Sequence, residues 1–284
     1  MPDDLRIKIH ILRCGSVSLP SRAVAGDEKR PVSFAEEVFT GERGRVTLPV
    51  CAYLIEHPKG LVLVDTGFPR AISPDGSYDA KAVRALLPAH LAAFYRPVVP
   101  PGQSIGEQLA ALGIRPDALD AVLLTHFDPD HIGALCELRG AKRILGSEEE
   151  RWWAVRTVYR LRQPQRLWAD YPIEVFWFKG TELGPRRWSY DLFGDGSVQL
   201  VSVPGHCDGL FAPLITSGGR FALLTSDAAF SRRSWEELRI PGFGFNPVAQ
   251  RKSLEWIREM SLRPGCAAVV ASHDPDETPR VIEL

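Results

Sequence analysis

The segment AVLLTHFDPDHIG at 121–133 constrains this chain more than any other. Residues 121–125 form an apolar run of strand length, and His126, Asp128, Asp130 and His131 follow within the next six positions. A loop that leaves a strand and turns into a helix can aim all four side chains into one concavity. Two imidazoles and two carboxylates together suit a divalent cation of borderline hardness. Without a cation the neighbouring carboxylates repel, and each needs another partner to stay charged. Taken alone, the cluster has a plainer reading: Asp128 and Asp130 as turn residues, with Asp130 capping the next helix.

Three further positions weigh against that plainer reading. SVQLVSV at 197–203 leads through Pro-Gly to His206, RFALLT at 220–225 leads to Asp227, and CAAVVA at 266–271 leads to His273. Each one alone would pass as a structural histidine, a helix cap or an ion-pair partner. Yet four of the seven histidines lie in these places, and His10, His57 and His90 lack such company. Open α/β sheets place their ligands at strand C-termini. The pattern therefore predicts one metal site from His126, Asp128, Asp130, His131, His206, Asp227 and His273.

Around the site the chain alternates strands and helices, an α/β pattern. Strands are expected at 7–12, 46–56, 60–67, 121–125, 142–145, 173–178, 197–203, 220–225 and 266–271, with HPKG at 57–60 closing a hairpin. Residues 16–45 lack a period and read as a long surface excursion. Residues 68–103 read as one helix near 79–87 inside a loop. Ser104 with Glu107 opens a helix through Leu112, a short helix follows His131 to about Leu138, and Ser147 with Glu150 opens a long helix toward Leu161. Asn246 and Pro247 start the final helix, and Gly265 follows its end.

Composition excludes several classes. Thirty-four basic and 35 acidic residues leave a net charge of −1, no footprint for nucleic acid or an anionic membrane. The basic stretch Arg151–Arg166 reads as a solvated helix face. Cys14, Cys51, Cys136, Cys207 and Cys266 are odd in number and irregularly spaced, which suits free buried thiols better than a disulfide framework or a zinc ribbon. The opening MPDDLRIKIH carries acids where an export signal carries bases, so a soluble cytoplasmic protein is expected. A chain of 284 residues can bury a large core unaided, so a bound metal would serve chemistry rather than folding.

The order H-x-D-x-D-H, then PGH, then a strand-end Asp, then a last His resembles the metallo-β-lactamase superfamily. VDTG at 64–67 resembles that family's signature, and TLPVCAYLIEHPKGLVLVDTGFP at 47–69 resembles the N-acyl homoserine lactonases within it. The resemblance implies an αββα sandwich of two mixed β-sheets flanked by helices. It implies a single domain over 1–284, with 68–103 and 151–190 as candidate lids. It further implies two divalent metal ions, zinc first, with iron or manganese as alternatives. His126, Asp128 and His206 would hold the first ion, Asp130, His131 and His273 the second, and Asp227 would bridge them. Asp65 would orient a ligand histidine and Asp130 would orient the nucleophile, a metal-bridging hydroxide that cleaves a lactone or related ester.

Two positions depart from the family's pattern. Asp128 stands where a third imidazole is usual, which adds charge and hard oxygen character and could weaken zinc or favour iron or manganese there. Phe230 stands where the lactonases carry a tyrosine that polarises the substrate carbonyl. Hydrolysis of organophosphate triesters, or of thioesters in the manner of glyoxalase II, uses the same metal chemistry. A metal-binding regulatory protein without turnover is the reading of another class. Five of seven tryptophans fall within Trp152–Trp188, a surface that packing, an apolar substrate or a homodimer interface could each use.

Overall fold

A computed structural model describes residues 6–24 and 44–284. Two mixed sheets stack face to face. The first contains β1 (Lys8–Pro20), β2 (Arg45–His57), β3 (Gly60–Val64), β4 (Arg96–Val98), β5 (Ala121–Leu123), β6 (Ile144–Ser147), β7 (Ile173–Phe176) and β14 (Val281–Glu283). Its order is β14-β1-β2-β3-β5-β6-β7, with β4 beside β1. The hairpin expected at 57–60 pairs His57 with Gly60, and from β3 to β7 the strands run parallel. The second sheet contains β8 (Lys179–Gly180), β9 (Trp188–Asp191), β10 (Val198–Ser202), β11 (Phe211–Ser217), β12 (Arg220–Leu224) and β13 (Cys266–Val270), in the order β13-β12-β11-β10-β9-β8.

Period-two patterning explains the sandwich. Ile9, Ile11, Tyr53, Ile55, Val62 and Val64 of the first sheet meet Val198, Leu200, Phe211, Ala222 and Leu224 of the second in one core. The opposite faces are covered by helices. On the first sheet lie α1 (Ser21–Val24), α2 (Ala80–Leu86), α3 (Ala89–Phe94), α4 (Ile105–Ala111) and α5 (Pro129–Ile132), whose apolar residues join the core cluster holding Leu54 and Leu63. Next in the chain come α6 (Glu148–Ala154) and α7 (Thr157–Arg162). On the second sheet, Trp235 of α8 (Arg232–Glu236) and Leu254, Ile257 and Met260 of α9 (Pro247–Ser261) cover Val201, Leu214 and Leu223. This is the layered αββα arrangement that the resemblance implied. Among the described residues, no helix is long and apolar enough to cross a membrane.

Caps set the helix starts. Ser104 and Glu107 bond reciprocally, and Asn246 accepts from the Ala249 N–H at 3.0 Å, both at the positions expected. Elsewhere tertiary contacts overrode local signals. Residues 16–20 are not part of an excursion: they extend β1, pairing with 45–49 and with β4, and bury Val17 and Leu19. Residues 21–24 form a helical turn and Arg45 begins β2, while 25–43 lie outside the described residues. The helix expected from 147 to 161 breaks between Ala154 and Thr157. Its second capping box does not close, because the Glu150 carboxylate turns to the Phe127 N–H and to Gln163 Nε2. The helix expected after His131 begins earlier, at Pro129.

Residues 68–103 were expected as loop with one helix and as a candidate lid. They hold α2, α3 and β4, and Phe68, Ile72, Val83, Leu91, Phe94 and Val99 are each at most 1% exposed. Swinging this segment outward would expose all of them at roughly 1.5–3 kcal/mol per large apolar side chain, which argues against a lid there.

Candidate metal centre

Four strand ends converge on one buried pocket. His126 follows β5, His206 follows β10 through the Val203-Pro204-Gly205 turn, Asp227 follows β12 and His273 follows β13. These four, with Asp128, Asp130 and His131, are each at most 3% exposed. The backbone is shaped for the purpose. Gly205 sits at φ +139°, and a Cβ there would lie 2.4 Å from the Gln250 backbone, so the turn before His206 admits no side chain. Asp65 and Ser226, beside the cluster, adopt left-handed φ values of 59° and 49°, backbone strain of the kind that gathers at functional sites.

The hydrogen bonds fix which way each imidazole points its lone pair. Thr125 Oγ1 donates to Asp65 Oδ2 at 2.8 Å, so it accepts from His126 Nδ1 at 3.1 Å. His131 Nδ1 donates to Asp65 Oδ2 at 2.8 Å, and His273 Nδ1 donates to the Pro49 carbonyl at 2.7 Å. All three rings therefore turn Nε2 inward, and none of these nitrogens meets a hydrogen-bond partner outside the cluster among the described residues. They face acceptors. Asp227 Oδ1 lies 3.2 Å from His131 Nε2 and 3.3 Å from His273 Nε2, while Oδ2 lies 3.8 Å from His126 Nε2 and 3.3 Å from His206 Nε2. Ring nitrogens gathered on a carboxylate are held there either by protons on the rings or by a cation that takes the protons' place.

Two groups could hold one each. Asp130, His131 and His273 offer ligand atoms within 4.8 Å of one another, and so do His126, His206 and Asp227. Asp227 turns one oxygen toward each group, the geometry of a bridging ligand. The residues fit divalent metal best at the Asp130, His131 and His273 group, where every nitrogen is free to coordinate. Burial, then the neighbouring Asp227 and Asp128, raises the Asp130 carboxyl even though His131 and His273 pull it down. Burial would lower His131, but Asp227, Asp65 and Asp130 together hold it well above the ordinary histidine value.

The other group is compromised. Asp128, expected as a ligand of the first metal, is instead taken up by Arg162. Arg162 Nε donates to its two oxygens at 2.8 and 2.7 Å and Nη2 donates to Oδ2 at 2.5 Å. Nη2 also donates to His206 Nε2, and Nη1 to the His206 carbonyl at 3.3 Å. Burial would raise the Asp128 carboxyl, but Arg162 and then His126 hold it well below the usual range. Burial and then Arg162 push His206 down to about 3, so its ring is neutral and its Nε2 lone pair is the acceptor. Phe243 and Phe245 flank the guanidinium, with centroids 4.0 and 5.1 Å from Cζ.

Arg162 and Gln163 are the residues that sequence reasoning missed. They lie in the basic stretch expected to be solvated, yet Arg162 is 4% exposed and Gln163 is fully buried. The only available signal was indirect: an aspartate in place of a neutral imidazole puts an extra negative charge in a closed pocket, which calls for a cation. The stretch 151–190, expected as a lid, thus supplies a side chain to the centre. The tryptophans divide: Trp168 packs on Phe127 in the core, whereas Trp152, Trp177 and Trp188 are exposed. Phe230 packs its ring 5.7 Å from His206 and 5.0 Å from His273, over the centre.

The family model for the metallo-beta-lactamase superfamily matches residues 45–273, and the chain belongs to that superfamily. It is 29% identical over 252 residues to the N-acyl homoserine lactonase AttM of Azorhizobium caulinodans, a match covering 82% of this chain and 84% of that protein. It is 30% identical over 282 residues to the probable metallo-hydrolase Rv2300c of Mycobacterium tuberculosis, covering 93% and 84%. A solved N-acyl homoserine lactone hydrolase, with N-hexanoyl-L-homoserine bound at its catalytic metal center, superposes with a TM-score of 0.71 at 20% identity over 95% of this chain and 94% of that one. That last likeness bears on the fold.

Proposed function

We propose that this protein is a metal-dependent hydrolase that opens a lactone or cleaves a related ester, with zinc as its metal. The observation that carries the reading is the convergence of three imidazole Nε2 atoms, each oriented from behind through Nδ1, on the buried Asp227 carboxylate. The relation to an N-acyl homoserine lactonase directs the choice of bond. Divalent ions held there would lower the pKa of water toward about 7 and polarise a carbonyl oxygen. Asp130 would orient the attacking water and carry its proton to the departing alkoxide as the acyl C–O bond breaks. Asp227 would hold the two ligand groups in register.

Metal analysis of protein purified without added metal, followed by lactone, ester, thioester and phosphotriester substrates, tests the reading. Bound metal with lactone turnover supports it. Metal without activity on any of these substrates would favour a regulatory metal-binding protein, a reading that the capture of Asp128 and His206 by Arg162 keeps specific. Turnover of thioesters or phosphotriesters alone would redirect it within the same chemistry.

Asp65 would act through His131. It accepts from the Thr125 N–H, the Thr125 hydroxyl and His131 Nδ1, so it sets the orientation of one ligand ring directly and of His126 through Thr125. Asp65→Ala is expected to weaken metal binding about 10–100-fold, the usual cost of losing such a support, measured by competition with a chromogenic chelator.

Phe230 offers no hydroxyl, but a phenol is present nearby. Tyr95 is buried, and beyond burial itself the charges that act on its hydroxyl are Asp128, Asp130, Arg162 and Asp227. Its ring is held by Phe94 at 5.0 Å and Phe68 at 6.2 Å. Tyr95 would take over carbonyl polarisation. Tyr95→Phe keeps that packing and is expected to lower kcat at least about tenfold, with metal content unchanged. An unaltered kcat would remove Tyr95 from the reaction.

A further inference from the structure

We infer that Arg162 is a resident cation that competes with the first metal, so the two metal sites fill in sequence with widely separated affinities. The inference deepens the metal-hydrolase reading and rests on it.

The argument is one of ligand atoms. An ion bound by His126, His206 and Asp227 needs the Nε2 lone pair of His206, and Arg162 Nη2 donates to that same lone pair. It would also draw on Asp128, whose two oxygens are engaged by the Arg162 fork. With the guanidinium in place, the first group retains only His126 and one oxygen of Asp227. The Asp128–Arg162 pair is neutral as a unit, so it replaces a neutral imidazole without changing the net charge while withdrawing two ligands. Among the described residues no guanidinium is bonded to Asp130, His131 or His273, and the rings there are already oriented by Asp65 and Pro49. That site is complete.

Arg162 is also well held. Its planar fork matches the carboxylate, two phenylalanines flank it, and it cannot lose its charge. A metal entering the first site must therefore drive it off Asp128 and His206.

Metal-free protein titrated with Zn²⁺ by calorimetry, and separately with Co²⁺ followed by visible absorption, reads this without activity. One tight equivalent is expected, with a second at least about a hundredfold weaker. Arg162→Met returns Asp128 and His206 to the first site and is expected to shrink the gap at least tenfold. Arg162→Lys keeps the charge but not the fork and should fall between. If Arg162→Met does not fold, the double variant Asp128→His/Arg162→Met, neutral at both positions, takes its place with the same expectation. Two equivalents of equal affinity in the unaltered protein, or an unchanged gap in the variants, would overturn the inference while leaving the metal centre standing. No bound metal at all would overturn both.

Discussion

Asp227→Ala is expected to cut hydrolysis at least about a hundredfold and to lower metal content, with the fold intact. Asp227 faces both ligand groups with its carboxylate: Oδ1 faces His131 and His273, and Oδ2 faces His126 and His206. In the metal-free protein the effect on its own chemistry is plain too. Burial would raise this carboxyl, yet His131 and His273 hold it well below the usual range, so it stays charged and available. Alanine removes one ligand from each group at once. Asp130→Asn is a milder cut: it keeps the shape but removes the charge and the proton acceptor, and the same loss of rate is expected with more of the metal kept. Turnover measured beside metal analysis and circular dichroism separates the two. Rates within tenfold of the unaltered protein, with metal bound, would show that neither carboxylate has the role assigned to it.

The strand-end residues were legible because each follows a short apolar run, and length and flanking turn residues favour strands over buried helices for runs of that kind. Caps were legible for the same local reason: Ser104, Glu107 and Asn246 act on N–H groups within three residues. What escaped were features set by distant partners. The strand at 16–20 is made by pairing with 45–49 and β4, and its short Val17–Leu19 alternation was lost beside polar neighbours. Glu150 has a capping-box position but answers to Phe127 and Gln163 instead. Arg162 was hidden most completely. In a stretch with many arginines, nothing local distinguishes the one whose partner lies 34 positions earlier. Its burial follows from tertiary charge balance, which only the assembled pocket displays.

That balance makes a second large effect measurable. Asp128→Ala is expected to destabilise the metal-free protein by about 3–5 kcal/mol, the usual cost of leaving one partner of a buried ion pair uncompensated. Arg162 is 4% exposed and cannot deprotonate, so without Asp128 its charge retains only the His206 ring and carbonyl and the two phenylalanine faces. Replacing both partners, as Asp128→Leu/Arg162→Met, should recover most of the loss, because the desolvation cost disappears together with the attraction. Urea unfolding of the unaltered protein, Asp128→Leu, Arg162→Met and the double variant gives the coupling directly as a double-mutant cycle. The sign with pH is also set. The folded carboxyl lies well below its unfolded value near 4, so the pair's contribution is complete above that value and is lost only as pH falls through the folded one. The Asp128→Ala penalty should therefore be the same at pH 6 and pH 8. A penalty under about 1 kcal/mol would mean that Arg162 reaches water once its partner is gone. In that case the stretch carrying it opens easily, and a metal could displace the guanidinium at little cost. Stability and metal affinity thus test one quantity from two sides: how firmly the pocket holds its own cation.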